Sequence, residues 1–135
     1  MFERQLDIGM AQVDAAGVVF GPRLLELTHS VYEAFLAQHG WSISRILDEG
    51  WALPIVHMSA DFALPLRLND RVSVLLNVER LGKSSFTLGY RFSKHGVDGE
   101  LAASARSVHV ATDGNNKRAL PTELAALLSA AIDPA

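Results

Sequence analysis

A change of hydrophobic period within one short chain predicts an α+β fold, with one antiparallel sheet of about five strands and a long helix after the first strand. Three observations carry this. Apolar residues recur at helical spacing between Leu24 and Phe35. From Trp51 onward they recur at every second position instead. The 135 residues, 49% apolar and 20% charged, are enough for one buried core and give no composition break for a second. A single domain is therefore expected over 1–135.

The elements follow in order. "FERQLDIGMAQV" has mixed alternation and reads as a first strand. The small-residue loop "DAAGVVFG" separates it from a helix that begins at Gly21 and Pro22, because a proline in the first helical turn lacks only an N–H that would be unpaired anyway. Leu24, Leu27, Val31, Ala34 and Phe35 form the apolar stripe of that helix, widened by Leu25, Tyr32 and Leu36. The spacing predicts a buried helix over 22–39, about 27 Å long at ~1.5 Å per residue, stopped by Gly40. "SISRILDEG" predicts a short second helix with Ser42 as its N-cap and Gly50 as its stop.

In the next strand Val56, Met58, Ala60, Phe62 and Leu64 face one side and Ile55, His57, Ser59 and Asp61 the other. "RVSVLLNVERLG" turns Val72, Val74, Leu76 and Val78 to one face, and "SSFTLGYRF" does the same with Phe86, Leu88, Tyr90 and Phe92. The turn "SKHGVDGE" leads into "LAASARSVHVAT", where the small inward residues Leu101, Ala103 and Ala105 leave room for the long helix. "TELAALLSAAI" predicts a C-terminal helix with Thr122 as N-cap. A single sheet covers that long helix on one side and leaves its own edges open, so a dimer is the minimal expectation.

Composition removes several classes of function. A net charge of −3, with 12 basic residues spread along the chain, gives no footprint for nucleic acid. The absence of cysteine excludes disulfides, thiolate metal sites and a cysteine nucleophile. "MFERQLDIGM" lacks the basic start and apolar stretch of a signal peptide, and no run approaches the ~18 apolar residues that span a bilayer. A cytoplasmic protein without membrane contact is expected.

The remaining chemistry rests on serine, histidine and carboxylates. From residue types alone, Asp14 is a turn acid ahead of a helix. His57 is a lone histidine on the polar face of a strand, a position more typical of a satisfied or partner-facing residue than of a catalyst. His29 and Glu33 lie one helical turn apart, a spacing that suits an acid/base pair, two metal ligands or ordinary polar residues. No third ligand stands at convincing spacing, so no metal is expected. Ser84 and Ser85 lack the G-x-S-x-G elbow of a serine nucleophile. Lys83, with Arg80 nearby, is either a solvated basic turn or a seat for an anion.

In the order of its elements and in five local blocks, the chain resembles the hotdog-fold acyl-CoA thioesterases. The blocks are "DAAGVVF" from Asp14, "HSVYEAFL", "ALPIVHMSADFALPLRLNDRV", "GKSSFTLGYRF" and "KRALPTEL". The branch resembled is the 4-hydroxybenzoyl-CoA thioesterase family, closest in look to the 1,4-dihydroxy-2-naphthoyl-CoA thioesterases. The resemblance implies a hotdog fold, a sheet wrapped around a long central helix. It also implies hydrolysis of an aromatic acyl-CoA, of the 1,4-dihydroxy-2-naphthoyl or 4-hydroxybenzoyl type, to the free acid and coenzyme A. Coenzyme A is then part of the substrate, and no cofactor is expected.

By the same resemblance Asp14 is the nucleophile or general base and the Gly21 amide holds the thioester carbonyl. Val19, Phe20 and Met58 would sandwich the acyl ring, with His57 or Ser59 bonding a ring hydroxyl. Arg80, Lys83, Ser84 and Ser85 would meet the coenzyme A arm. The family usually carries a larger, often aromatic residue where Gly21 stands, and the extra room favours a two-ring acyl group. A homo-oligomer, at least a dimer and by resemblance a homotetramer, is expected. The alternatives are a hotdog hydratase or dehydratase, for which Asp14 and His57 lack the usual partner spacing, and a non-catalytic acyl-CoA binding module.

Overall fold

A computed structural model of the chain describes residues 2–132. Five antiparallel strands form one sheet: β1 (Phe2–Asp7), β2 (Ile55–Phe62), β3 (Arg71–Leu81), β4 (Ser85–Lys94) and β5 (Glu100–Val110), in spatial order β1-β3-β4-β5-β2. Helix α1 (Gly21–Gln38) packs on one face, and two short helices, α2 (Ile43–Asp48) and α3 (Thr122–Ala130), complete the layer. This is the predicted α+β arrangement with a long central helix. The core between the layers is built from Val72, Val74, Leu76 and Val78 of β3, Phe86, Leu88, Tyr90 and Phe92 of β4, and Leu24, Val31, Tyr32, Phe35 and Leu36 of α1, all buried. Ala103 and Ala105 are buried on the same face, as their small size suggested.

Local features bound the first two helices. Gly40 follows α1 at φ 82°, a left-handed conformation that costs a residue with a Cβ and little for glycine. Ser42 caps α2, its hydroxyl accepting the Arg45 N–H at 3.2 Å. The Arg45 guanidinium lies 3.8 Å over the Trp41 ring and donates to Glu49 and Glu123, which ties α2 to α3.

Four local readings of the sequence are corrected. β1 ends at Asp7, and Met10–Gln12 form a 3-10 turn closed by the Gln12 side chain on the Gly9 N–H at 2.8 Å. Pro121, not Thr122, occupies the cap of α3, so Thr122 is the first helical residue. A bulge at Val56 places Ile55 opposite His109 and Met58 opposite Ser107, so Ile55 shares the Met58 face instead of the His57 face. A second bulge, at Ala102, pairs Leu101 with Ser93, which moves Leu101 to the outer face.

Candidate active site

The loop before α1 folds back on itself. Val13 bridges Val19, the Asp14 N–H donates to the Val18 carbonyl at 3.0 Å, and the Gly17 N–H donates to the Asp14 carbonyl at 3.0 Å. Gly17 has φ 77°, which the tight turn requires and few side chains allow. Asp14 Oδ1 accepts the Ala16 N–H at 2.8 Å, so one carboxylate oxygen is fixed by its own loop. The side chain is exposed, and its second oxygen has no hydrogen-bond partner among the described residues. The turn role read from residue types is therefore real, and it leaves one oxygen available for chemistry.

The same fold carries the chain into α1. Phe20 caps the helix without a side-chain hydrogen bond, Pro22 has no N–H, and the Arg23 N–H is taken by the Phe20 carbonyl at 2.9 Å. The Gly21 amide is the N–H of this first turn that keeps no partner among the described residues, and beyond its chain neighbours and its own helix's backbone nothing lies within 4 Å of where a Gly21 Cβ would stand. A free amide at the positive end of an 18-residue helix, beside open space, is suited to hold developing negative charge on an oxygen.

Two shallow clefts border this point. One, of about 310 Å³, is lined by Val18, Val19, Phe62, Ala63, Leu64 and Pro65. The other, of about 320 Å³, lies between α1 and β2 and is lined by Leu25, Glu26, His29, Ile55 and Met58. Val19 and Met58 thus line clefts on the helix side of the sheet. Phe20 is partly exposed, with the Arg23 guanidinium 5.6 Å from its ring centre. His57 and Ser59 point to the opposite, outer face, where they pair with Val108 and Arg106. Met58 and the His57–Ser59 pair therefore cannot line one pocket within a protomer. Leu25, His29 and Ile55 were not singled out as pocket residues from the sequence; the bulge that turns Ile55 toward the helix carries no sequence signal, and the place of Leu25 and His29 depends on how α1 lies on the sheet. His29 Nε2 sits 3.2 Å from Glu33 Oε1, and among the described residues no group of three side chains converges as a metal site.

The basic turn lies far from Asp14 in the same protomer. The Leu68 N–H donates to the Gly17 carbonyl at 3.1 Å, which sets the start of β3 beside the Asp14 loop. Lys83 stands beyond the other end of β3, 11 residues or ~35 Å away at ~3.3 Å per residue. Lys83 and Arg80 are exposed and form no ion pair among the described residues. Ser84 and Ser85 are half-buried, with their carbonyls accepting the Ala111 and Gly82 N–H groups at 2.8 and 2.7 Å. Arg118 joins this end, its N–H donating to the Ala111 carbonyl at 3.0 Å and its guanidinium lying 3.7 Å over the Trp51 ring. It belongs to the "KRALPTEL" block but was not read as a site residue.

A long helix packed across one five-stranded antiparallel sheet is the hotdog arrangement. The chain belongs to the thioesterase-like superfamily, whose family model matches residues 8–129. It is 36% identical over 115 residues to a 1,4-dihydroxy-2-naphthoyl-CoA hydrolase of Picosynechococcus, covering 82% of this chain and 79% of that one. It is 34% identical to the hydrolase of the same name from Synechocystis, over 81% of this chain and 78% of the relative. Among solved structures, a 1,4-dihydroxy-2-naphthoyl-CoA thioesterase from Synechocystis superposes with a TM-score of 0.87 at 30% identity, covering 95% of both chains. A gentisyl-coenzyme A thioesterase at 24% identity, with a TM-score of 0.83 over 95% of this chain and 99% of that one, shares the fold.

Proposed function

We propose that this chain hydrolyses an aromatic acyl-CoA, with 1,4-dihydroxy-2-naphthoyl-CoA the leading substrate and 4-hydroxybenzoyl-type thioesters next, to the free acid and coenzyme A. The observation that carries the reading is the free Gly21 amide beside the folded-back Asp14 loop. The thioester carbonyl oxygen accepts the Gly21 N–H, and the helix dipole stabilises the charge that grows on it. The Asp14 carboxylate either attacks the carbonyl carbon, giving an acyl anhydride that water then hydrolyses to the free acid, or takes a proton from the water that attacks and passes it to the leaving sulfur. In both routes the C–S bond breaks, and the coenzyme A sulfur leaves and is protonated. The names of the relatives favour a two-ring acyl group, as does the open space at Gly21.

The site is completed by a second copy. Of the two sheet edges, β1 presents Glu3, Arg4 and Gln5 to solvent, whereas β2 presents Val56, 59% exposed, and Phe62, 43% exposed. A charged edge resists pairing and an apolar one invites it. Antiparallel pairing of two β2 strands about a two-fold axis brings the partner's basic turn to the Asp14 end of this protomer. Lys83, Arg80 and the two serines of the partner then meet the coenzyme A arm, and the outer-face His57 and Ser59 line the subunit boundary. We take two such dimers to form a homotetramer, following the family resemblance.

The test is a panel of acyl-CoAs with a free-thiol readout on the wild type and Asp14→Asn. Hydroxynaphthoyl-CoA should exceed benzoyl-CoA in kcat/KM, and both should exceed palmitoyl-CoA. The folded variant should lose at least ~10²-fold in turnover, typical of a positioned acid/base group. Binding without thiol release would make the protein a binding module instead, and near-normal turnover of the variant would remove Asp14 from the reaction.

A further inference from the structure

Behind the α1–β2 cleft, the core holds a run of polar side chains that the hydrolysis does not use. His109 is fully buried, sandwiched between Phe86, ring centres 4.8 Å apart and 9° from parallel, and Tyr32, at 4.2 Å and 29°. Its Nε2 lies 2.8 Å from Ser107 Oγ, which lies 2.9 Å from the Tyr90 hydroxyl. One buried atom of this group, the Tyr32 hydroxyl, has no hydrogen-bond partner among the described residues, while the Leu53 carbonyl faces the His109 ring. Leaving a buried hydroxyl unpaired forfeits its hydrogen bonds to water without replacing them, and phenylalanine would keep the stacking without that cost. Packing therefore accounts for the ring of Tyr32 and not for its oxygen.

The group sits one layer inside the cleft. Ile55 and Met58, which line it, pair across the sheet with His109 and Ser107. His29, which lines it from the helix, has its ring centre 5.7 Å from that of Tyr32. Along α1 the cleft runs from Leu25 to His29, ~6 to ~12 Å beyond Gly21 at ~1.5 Å per residue. Rings attached to a carbonyl held at the Gly21 amide extend into this span. Met58 is unbranched and can turn aside without moving the strand. Burial holds the His109 imidazole down to about 4, with His29 adding to the effect and the Leu53 carbonyl opposing it, so the ring is neutral at pH 7. A neutral chain of hydroxyls and imidazole suits a neutral hydroxyl partner rather than a charged one.

We propose that Tyr32, backed by the His109–Ser107–Tyr90 chain, reads a ring hydroxyl of the aromatic acyl group seated in the α1–β2 cleft and so selects hydroxylated over unsubstituted aroyl-CoA. This rests on the aromatic acyl-CoA reading above. Tyr32 is a specificity residue here, since it touches the acyl ring and not the reacting carbonyl.

The experiment compares kcat/KM for 1-hydroxy-2-naphthoyl-CoA and 2-naphthoyl-CoA in the wild type and in Tyr32→Phe. The wild type should prefer the hydroxylated substrate, and the variant should lose up to ~10-fold of that preference, all of it on the hydroxylated substrate. An unchanged ratio, or an equal loss on both substrates, overturns the proposal. A second readout on the wild type needs no variant. The His109 ring-nitrogen resonances should move on addition of 1-hydroxy-2-naphthoate and not of 2-naphthoate, and equal responses overturn it too. If the wild type cleaves both thioesters equally, the proposed function stands and this inference falls. If it cleaves neither, both fall.

Discussion

The buried imidazole makes acid stability a direct measure of the core. His109 has its pKa lowered from 6.5 to about 4 by burial, with His29 lowering it further and the Leu53 carbonyl raising it. Between these values the unfolded chain binds a proton at this residue and the folded chain does not. Stability therefore falls as pH drops through this window, at about 1.4 kcal/mol per pH unit, and the whole window is worth about 3 kcal/mol. The groups facing His109 are Tyr32, Phe86, Ser107 and, by its charge, His29. Tyr32 has its pKa raised above the ordinary tyrosine value by burial, then by Tyr90 and Glu33, so it does not titrate in this range.

Asp70 and Asp113 act elsewhere on the pH scale. Burial opposes ionisation of Asp70, but the Arg67 N–H and Lys94 hold its pKa below 3.8, and the Asn116 and Asn115 N–H groups do the same for Asp113. Their stabilisation is lost only as pH falls below that value. The comparison is urea unfolding of the wild type and His109→Phe between pH 7 and 4 at fixed protein concentration. Phenylalanine keeps the stack between Tyr32 and Phe86 and removes the titration. The wild type should lose about 3 kcal/mol more than the variant across the window, and parallel pH profiles would refute the reasoning.

Two further outcomes are expected. Lys83→Glu should raise KM more than it lowers kcat, because a phosphate contact is equally present in ground and transition states. The effect should fade in high salt, since exposed charges are screened over ~8 Å at physiological ionic strength, and an unchanged KM at low salt moves the nucleotide seat away from this turn. Val56→Lys, which puts a charge on the apolar β2 edge, should shift sedimentation toward the monomer and lower activity in parallel. A fully active dimer of this variant excludes β2 as the pairing edge.

Much of this was legible in the sequence because hydrophobic period follows backbone geometry. The helical stripe of α1 and the alternation of β3 and β4 lead directly to the observed core. The Asp14 loop was legible through its glycine and small residues, which suit a tight turn. Bulges were not legible. One extra residue at Val56 leaves both strand faces partly apolar, so counting alternate positions from Trp51 assigns Ile55 to the wrong side and hides the cleft it lines. At Ala102 every candidate is small or apolar, and the slip again leaves no trace. Ser107 and His109 continue the inward set of Ala103 and Ala105, a signal present in the alternation, but their contact with Tyr90 and Tyr32 depends on how the helix lies on the sheet.

Acid sensitivity and substrate selection then have one physical cause. Burial keeps His109 neutral, which lowers stability only below its unfolded pKa, and it leaves the Tyr32 hydroxyl without a partner, which lowers stability at any pH while the cleft is empty. A core shaped by packing alone would lose stability when the hydroxyl of Tyr32 is removed, because each contact would have been optimised. A core that reserves this oxygen for a ligand behaves in the opposite way. Tyr32→Phe should gain up to about 1–3 kcal/mol by removing an unpaired buried group, while a bound hydroxylated acid should stabilise the wild type more than the variant. A gain in stability together with a loss of discrimination is the pattern of a site that trades one for the other. Packing has no means of producing both changes with one atom.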